Sequence, residues 1–246
     1  MPAPLVGYEQ PVFGGKLLQR YKRFLADVQL DDGRRLTVHV PNSGSMKTCS
    51  EPGSEVLVSD SLNPARKLRF TLELVRVADG PFGWAGVNTG LPNRLVSLAI
   101  ERGIIPELAG YGEVRREVTV EIGTRLDLVL EGGAHETRCL VEIKNVTMKA
   151  GQAAVFPDAI TERGRKHLEV LARAAASGLR AVIFFLVQRP DCGFFTTADF
   201  IDKSYGETLR RVAGSGVEVV VWRSRLSVRG ADLGERITYR PGPYQG

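Results

Sequence analysis

Two carboxylates and a lysine interrupt two short apolar segments that lie close together in the sequence. Asp127 stands in the first segment, and Glu142 and Lys144 stand in the second. The turn-like residues 131–136 between them include two glycines and predict a β-hairpin. Two carboxylates beside a lysine are the groups that a divalent-metal site for phosphodiester chemistry uses.

The register of this hairpin draws attention to the charges. A turn symmetric about residues 134 and 135 gives one continuous apolar face, as period two requires, through the pairs Leu126–Ile143, Leu128–Val141 and Leu130–Cys139. On the other face Asp127 lies opposite Glu142, and Arg125 lies opposite Lys144. Directly opposed like charges destabilise a sheet, so a cation between the carboxylates would stabilise this register.

A second interpretation of the hairpin needs no metal. Lys144 lies diagonal to Asp127, so the charged groups could form an ion-pair cluster on a solvent-exposed face of the sheet. Surface pairs of that kind contribute little to stability. The pattern alone leaves both interpretations open.

The composition is that of a globular protein. The chain has 246 residues, enough for one large or two small domains, and 43% of them are hydrophobic, so disorder is not expected. No segment approaches the roughly 18 apolar residues of a membrane span, and the N-terminus does not resemble a signal peptide. The three scattered cysteines form neither a disulfide framework nor a zinc pair, so we expect a cytoplasmic protein without a membrane partner.

Basic side chains are interleaved with aromatic ones in two places. The net charge of +5 permits a polyanionic partner without requiring one. The first place contains Lys16, Arg20, Lys22 and Arg23 with Tyr21 and Phe24, and the second contains Arg66, Lys67 and Arg69 with Phe70. Such segments suit phosphate contacts and base stacking. The alternative is a solvated strand face whose aromatic side chains lie in the core.

Residues 1–82 are predicted to form a small all-β domain. Short alternating segments separated by turns fill residues 13–80, and none of them has a convincing helical pattern. The clearest segments are residues 24–30, 36–40, 55–59 and 68–77. About five strands match a barrel of the OB type, which binds oligonucleotides or oligosaccharides. An SH3-like barrel also fits.

Residues 83–246 are predicted to form an α/β domain with a mixed central sheet flanked by helices. The predicted elements are a helix over residues 94–102, a strand over 113–122, the charged hairpin, a helix over 161–176, a strand over 181–187, a helix over 205–214 and a strand over 217–222. Residues 181–187 form an unbroken apolar run, which is typical of a buried parallel strand.

The helix predicted over residues 161–176 has a basic flank. Arg163 and His167 lie one turn apart beside its apolar face, and Lys166 pairs with Glu162 on the opposite side. Arg163 and His167 are placed to point into a cleft beside the sheet and to hold a phosphate. The alternative for His167 is a boundary residue with one hydrogen bond.

Several segments together resemble the sugar fermentation stimulation protein family. They follow one another in order through most of the chain and are residues 20–26, 41–44, 92–96, 125–127, 142–145, 156–168 and 187–189. The most specific of them is the segment that begins Phe156-Pro157-Asp158 and continues to Lys166-His167.

The resemblance implies a bacterial or archaeal cytosolic protein of two domains, an OB-like barrel followed by a restriction-endonuclease-like domain of the PD-(D/E)-x-K type. It also implies DNA binding and a link to the regulation of sugar catabolism, including maltose use. Its site residues in this chain are the metal-binding acids Asp127 and Glu142, the motif lysine Lys144 and the polar residue Gln188. Leu126 stands where the superfamily has its proline, and Ser45 stands where a basic residue is expected.

We therefore expect a site for Mg²⁺ or Mn²⁺ formed by Asp127, Glu142 and the carbonyl oxygen of Ile143. Lys144 would position the attacking water or stabilise the transition state, and Glu117 is a candidate supporting acid. The expected contacts to DNA, or alternatively to RNA or a single strand, are Arg20, Lys22, Arg23, Arg163, Lys166 and His167.

Two other functions fit the same residues. A DNA-binding regulator would keep the nuclease fold without catalysis and would bind DNA in a salt-sensitive way. A carbohydrate-binding barrel with an inert second domain would bind sugar whether or not DNA is present. The sequence indicates neither an oligomeric state nor a sugar effector.

Overall fold

The computed structural model describes residues 3–121 and 123–244, and Ile122, the last residue of a predicted strand, lies outside them. The strands before the first helix are β1 Val6–Gly7, β2 Val12–Tyr21, β3 Leu25–Leu30, β4 Arg35–His39, β5 Glu55–Asp60, β6 Phe70–Arg76 and β7 Trp84–Gly86. The elements after them are α1 Leu91–Glu101, a short 3-10 helix Pro106–Leu108, β8 Glu113–Glu121, β9 Thr124–Glu131, β10 Cys139–Val146, β11 Met148–Ala150, β12 Ala153–Phe156, α2 Glu162–Ala176, β13 Arg180–Val187, β14 Phe194–Thr197, α3 Asp199–Ala213, β15 Val217–Ser227, β16 Gly230–Arg236 and β17 Tyr239–Pro243.

The predicted small barrel is confirmed. Its sheet has the order β4-β3-β2-β5-β6-β7, and a parallel pairing between β4 and β6 joins the two sides. The period-two pattern of β3 buries Ala26, Val28 and Leu30 in the barrel core. Gly15 lets β2 approach β3 closely, because a Cβ there would lie 2.5 Å from the Gln29 carbonyl oxygen.

The predicted mixed sheet is confirmed as well. Its order is β1-β16-β15-β13-β10-β9-β8, and β13 lies between β10 and β15 with parallel pairing on both sides. Both faces of this sheet are covered, which explains the unbroken apolar run of β13. Phe184 packs in a cluster with Leu74 of the barrel and Leu95 of α1, whereas Phe185 packs with Leu168 of α2 and Leu209 of α3.

Two short strands pair with the sheet on the other side of the predicted domain boundary between residues 82 and 83. β7 pairs with β6 and extends the barrel sheet past that boundary, while β1 pairs with β16 at the edge of the seven-stranded sheet. A third sheet, of order β11-β12-β14-β17, was not predicted. Strands of two to five residues show too few alternations to be recognised by their period.

Helix α2 begins and ends close to its predicted bounds, whereas α1 begins at Leu91, three residues before its predicted start. The Thr161 hydroxyl accepts a hydrogen bond from the Gly164 amide at 3.0 Å and starts α2, and Gly178 with φ +85° follows its end. Pro92 lies in the first turn of α1, and Gly103 with φ +67° follows its end. None of the helices in the described part of the chain has both the length and the apolar character that crossing a bilayer requires.

The third helix is longer than predicted. It starts at Asp199 rather than at Tyr205, and it contains one residue, Asp202, with non-helical dihedrals. The kink at Asp202 interrupts the 3.6-residue period, so the first turn did not show in the sequence pattern.

An ionic cluster around the buried Arg189 joins the barrel to the second domain, and we call it the domain clamp. Its members are Thr48, Thr147, Lys149, Arg189 and Asp191. Arg189 donates to Thr48 Oγ1 at 2.9 Å and to the Thr147 carbonyl at 2.8 Å. It also binds both oxygens of Asp191, at 2.7 and 2.9 Å, so its guanidinium is shared among several acceptors.

Candidate active site

The predicted register of the β9–β10 hairpin is confirmed, and the acid site begins where that ladder ends. The paired residues are Cys139–Leu130, Leu140–Val129 and Val141–Leu128. The predicted next pair, Leu126 with Ile143, is absent from the ladder. Instead the Ile143 amide donates to Asp127 Oδ2 at 2.7 Å, so a carboxylate takes the place of a backbone carbonyl.

The prediction of one continuous apolar face is wrong at Leu126. Leu128 packs on the side of the barrel and α1, but Leu126 packs on the side of α2 and α3. In β8, Glu117 lies between the residues that pair with Leu126 and Leu128, and it has φ +53°. This left-handed backbone breaks the regular alternation at the level of Asp127.

Glu142 is buried, with only 3% of its surface exposed. Its Oε1 atom accepts a hydrogen bond from Lys144 Nζ at 2.5 Å and contacts His167 Nδ1. Its Oε2 atom is also buried and has no hydrogen-bond partner in the described chain. These facts exclude a solvent-exposed ion-pair cluster, because the charged face of the hairpin lies under α2.

The two carboxylates have pKa values shifted in opposite directions. Burial first and the charge of Glu142 second raise the pKa of Asp127 to about 6, against the opposing hydrogen bonds from Ile143 and Asn93. Burial also raises the pKa of Glu142, but the hydrogen bond from His167 and the charge of Lys144 outweigh burial and leave the pKa below its ordinary value. The pair therefore holds a proton on Asp127 before it holds one on Glu142.

Asn93 is a site residue that the sequence analysis did not single out. Its Nδ2 atom donates to Asp127 Oδ1 at 2.7 Å and lies 3.5 Å from Glu117 Oε1. Helix α1 thus orients Asp127 from the side opposite Ile143. The only sequence signal was the position of Asn93 within a segment that resembles the family. Glu117, the candidate supporting acid, is exposed and pairs with Arg125 at 3.2 Å.

His167 is buried and its Nδ1 atom contacts Glu142 Oε1, so its ring belongs to the acid site, and its predicted contact with a phosphate stays a prediction. Arg163 Nε donates to His167 Nε2 at 3.4 Å, which leaves Nδ1 as the nitrogen that donates to Glu142. His167 is buried because α2 packs directly over β10. Arg163 and Lys166 are exposed on the outer side of the same helix.

Gln188 lies apart from the acid site. Its side-chain Nε2 atom donates to Asn145 Oδ1 at 2.8 Å, and its backbone carbonyl oxygen accepts from the Gly86 amide at 2.9 Å. Within residues 3–121 and 123–244, it makes no hydrogen bond to Asp127, Glu142 or Lys144. A Cβ at Gly86 would lie 2.5 Å from Gln188 Oε1, so this glutamine packs against the barrel.

Arg20 holds a loop of the barrel. Its two terminal nitrogens donate to the carbonyl oxygens of Ser45, Asn42, Gly44 and Arg23 at distances of 2.7 to 3.1 Å. These bonds occupy the guanidinium that was predicted to bind nucleic acid. Lys22 and Arg23 are exposed in the adjacent turn, where both have positive φ, at +46° and +63°.

Two carboxylates and a carbonyl could hold a hard divalent cation here. No group of three or more His, Cys, Asp and Glu side chains in the described ranges is arranged to hold a metal, so Asp127 and Glu142 would need backbone and water oxygens besides. The N–H and C=O groups of one strand residue point to the same edge, so the Ile143 carbonyl points towards Asp127. The unpartnered Glu142 Oε2 fits such a cation.

The fold defines a class of protein, an OB barrel followed by an α/β domain with a mixed sheet. A family model described as the SfsA N-terminal OB domain matches residues 18–87, and one described as the sugar fermentation stimulation protein RE domain matches residues 90–230. The chain belongs to the sugar fermentation stimulation protein family.

Relatives match nearly the whole chain. A sugar fermentation stimulation protein homolog of Geobacter sulfurreducens is 51% identical over 233 residues, which cover 95% of this chain and 98% of the relative. The homolog of Geobacter metallireducens is 53% identical over 92% of this chain and 96% of the relative. The structure of Pyrococcus furiosus SfsA in complex with Ca²⁺ has a TM-score of 0.85 at 24% identity, covers 97% of this chain and 100% of that chain, and shows the same fold.

Proposed function

We propose that this protein is a divalent-cation-dependent nuclease whose substrate is DNA. The observation that carries the proposal is the buried Glu142 Oε2 atom, which has no partner among the described residues. An ionised carboxylate oxygen without a partner is destabilising in a protein interior, whereas a bound cation would stabilise it. Asp127 lies close enough for its pKa to feel the charge of Glu142, so both carboxylates would face the same cation.

The residues of the acid site would divide the work between them. Asp127, Glu142 and the Ile143 carbonyl would hold Mg²⁺ or Mn²⁺, which activates water and neutralises phosphate charge when it is bound. Asn93 and the Ile143 amide keep Asp127 in one orientation. This fixed geometry favours catalysis, because a prepared site needs no rearrangement during the reaction.

Two residues orient Glu142 and supply positive charge. His167 contacts Oε1 and leaves Oε2 for the cation, as partners of metal-binding carboxylates commonly do. Lys144 Nζ lies 2.5 Å from the same Oε1 atom and is placed to stabilise negative charge on a phosphate or to orient an attacking water. The Ca²⁺ held by Pyrococcus furiosus SfsA supports a hard divalent cation in this family.

A second candidate function is a DNA-binding regulator of sugar catabolism, including maltose use, that retains the fold without catalysis. The observation that favours it is the contact between Lys144 and Glu142, because the lysine already neutralises one of the two carboxylates. In that case DNA binding would depend on exposed cations such as Lys22, Arg23 and Lys166, and a divalent cation would not change it.

A cleavage assay with matched variants tests the proposal. The purified protein is incubated with single-stranded and double-stranded DNA and RNA in Mg²⁺, in Mn²⁺ or in chelator. We expect cleavage only with the cation, and a loss of at least about a hundredfold in Asp127→Asn and in Lys144→Ala. The control Asp32→Asn changes an exposed carboxylate on a barrel turn and should leave the rate unchanged.

Two results would count against nuclease activity. The first is the absence of cleavage on every substrate with every cation, while both variants still bind DNA, which is the outcome that the regulator predicts. The second is cleavage that survives Asp127→Asn, which would point to a contaminating enzyme.

A further inference from the structure

A polar cleft lies between the barrel and the second domain, at the carboxyl end of β10. Its volume is about 340 Å³, and its lining includes Asn42, Thr89, Asn145, Asp158 and Ile160. Parallel strands commonly bind ligands outside their carboxyl ends. Asn145 directly follows Lys144 in β10, so the cleft lies one residue beyond the acid site along the strand, and the two side chains point to opposite faces of the sheet.

Two hydrogen-bonding side chains that line the cleft are not fully used within the protein. Asn145 Oδ1 accepts from Gln188, but Asn145 Nδ2 has no partner among residues 3–121 and 123–244. The half-buried Asp158 carboxylate makes no hydrogen bond or ion pair in the described ranges. Amides and carboxylates with unused hydrogen-bonding atoms can recognise the edge of a nucleobase. An amide both donates and accepts hydrogen bonds, and a carboxylate accepts them from the amino groups of the base.

The mouth of the cleft combines a cation with exposed apolar side chains. Arg23 lines the cleft, and the next residue, Phe24, exposes 45% of its surface. On the other wall Ile160 exposes 74%. Exposed aromatic and apolar side chains beside a cation are a common arrangement for stacking on unpaired bases and holding their phosphates.

The walls of the cleft are held in place before any ligand arrives. Arg20 binds the carbonyls of Asn42, Gly44 and Ser45, and the Thr89 hydroxyl donates to the Pro41 carbonyl at 2.5 Å. On the opposite wall, Thr161 caps α2 through the Gly164 amide. A prepared cavity binds its ligand with less ordering of the chain.

We infer that this cleft receives one unpaired nucleotide of the substrate, so the protein acts on single-stranded nucleic acid or on unpaired positions in a duplex. The cleft has the volume of a small-molecule site and is too small for a double helix, whose major groove alone is about 12 Å wide. This inference rests on the proposed nuclease function and adds the substrate class to it. Asn145 and Asp158 read the base, Phe24 stacks on it, and Arg23 holds its phosphate.

Binding measured without cleavage tests the inference. Fluorescence anisotropy in chelator compares the full chain on a single strand, on a blunt duplex and on a duplex with one unpaired nucleotide, in DNA and in RNA. We expect the single strand and the duplex with the unpaired nucleotide to bind at least about tenfold tighter than the blunt duplex. Replacing the unpaired nucleotide by an abasic one should remove that advantage.

Variants assign the preference to the cleft. Phe24→Ala and Asn145→Ala should each weaken binding of the single strand by about fivefold to a hundredfold and leave the blunt duplex unchanged. Phe200→Ala removes another exposed aromatic side chain, on α3, and serves as the matched control. Because Phe24 is on the surface, its variant should fold like the wild type, which circular dichroism checks.

The outcomes separate this inference from the proposed function. Equal or tighter binding of the blunt duplex, or variants that weaken all substrates alike, would overturn the cleft assignment even if cleavage is observed. A single-strand preference that depends on Phe24 and Asn145, without cleavage in any cation, would support the cleft and reject the nuclease. A preference between single-stranded DNA and single-stranded RNA supports the inference whichever of the two binds more tightly, and it identifies the sugar of the substrate.

Discussion

The acid site and the domain clamp both bury carboxylates, but they stabilise them in opposite ways. In the acid site, Glu142 keeps one oxygen without a partner in the described chain, and burial together with the charge of Glu142 raises the pKa of Asp127 to about 6. In the clamp, burial also raises the pKa of Asp191, but hydrogen bonds from Arg189 and Lys149 outweigh it and bring the pKa to about 2.

This difference separates a structural cluster from a functional one. A paired carboxylate in the interior needs nothing from outside the protein, and removal of its partner is destabilising because the charge is left uncompensated. Carboxylates that remain partly unpaired and repel each other are characteristic of sites that bind a ligand or perform chemistry. The domain clamp therefore joins the two domains through its own pairs, while the acid site keeps a buried carboxylate oxygen without a partner among the described residues.

The largest expected effect comes from removing the arginine of the clamp. Arg189→Ala leaves Asp191 and the Thr147 carbonyl without their main donor. We expect the free energy of unfolding to fall by about 3–5 kcal/mol, measured by urea denaturation. Arg102→Ala, at an exposed position after α1, is the control and should change stability by less than about 0.5 kcal/mol. A loss below about 1 kcal/mol in Arg189→Ala would contradict the structural role of the clamp.

The next effect is a pH dependence of opposite sign in the two regions. Because the folded-state pKa of Asp127 is about 6, the unfolded chain ionises first, and the free energy of unfolding falls by about 2 kcal/mol as pH rises from 4 to 6. The stabilising contribution of Asp191, whose folded-state pKa is about 2, is present above pH 4 and is lost as pH falls towards 2.

Urea denaturation from pH 2 to pH 8 resolves the two contributions. Asp127→Asn should remove the loss of stability between pH 4 and 6, and Asp191→Asn should flatten the curve below pH 4. An unchanged slope between pH 4 and 6 in Asp127→Asn would show that Asp127 does not carry the raised pKa.

A divalent cation should stabilise the protein through the acid site and not through the clamp. At ten times its dissociation constant, Mn²⁺ adds about 1.4 kcal/mol to the free energy of unfolding. We expect this stabilisation at pH 8 and much less at pH 5, where Asp127 holds its proton. Thermal denaturation followed by circular dichroism should show it in Arg189→Ala as well, but not in Asp127→Asn. Equal stabilisation of Asp127→Asn would place the cation elsewhere.

The smallest effect sharpens the electrostatics of the acid pair. Glu142→Gln removes the charge that faces Asp127, so the pKa of Asp127 should fall, while burial, which is the larger cause, keeps it above the ordinary value. Carbon NMR of the labelled carboxyl group measures this change directly. Glu113→Gln, at an exposed position in β8, should leave the pKa of Asp127 unchanged, and a fall in that variant would argue against a local cause.

Much of the fold could be predicted because it depends on local patterns. The hairpin register followed from the alternation of Leu128, Leu130 and Val141, and α2 followed from its 3.6-residue apolar period. The parallel strand β13 followed from its unbroken apolar run. Each of these elements carries its own period or capping residue, so a short window of sequence is sufficient.

The remaining parts of the site depend on contacts between distant segments. Asn93 is 34 residues from Asp127 in sequence, and His167 is 25 residues from Glu142. A helical period shows that His167 lies at the edge of an apolar face, but it does not show which strand that edge covers. Gln188 was placed by resemblance alone, and the packing of the barrel at Gly86 decided its position.

The most direct test of the acid site is anomalous diffraction from crystals grown with Mn²⁺. We predict one strong peak that contacts Asp127, Glu142 Oε2 and the Ile143 carbonyl, with Glu142 Oε1 still bound to His167. A crystal saturated with Mn²⁺ that shows no peak at these oxygens, with Lys144 still paired to Glu142, would contradict the account.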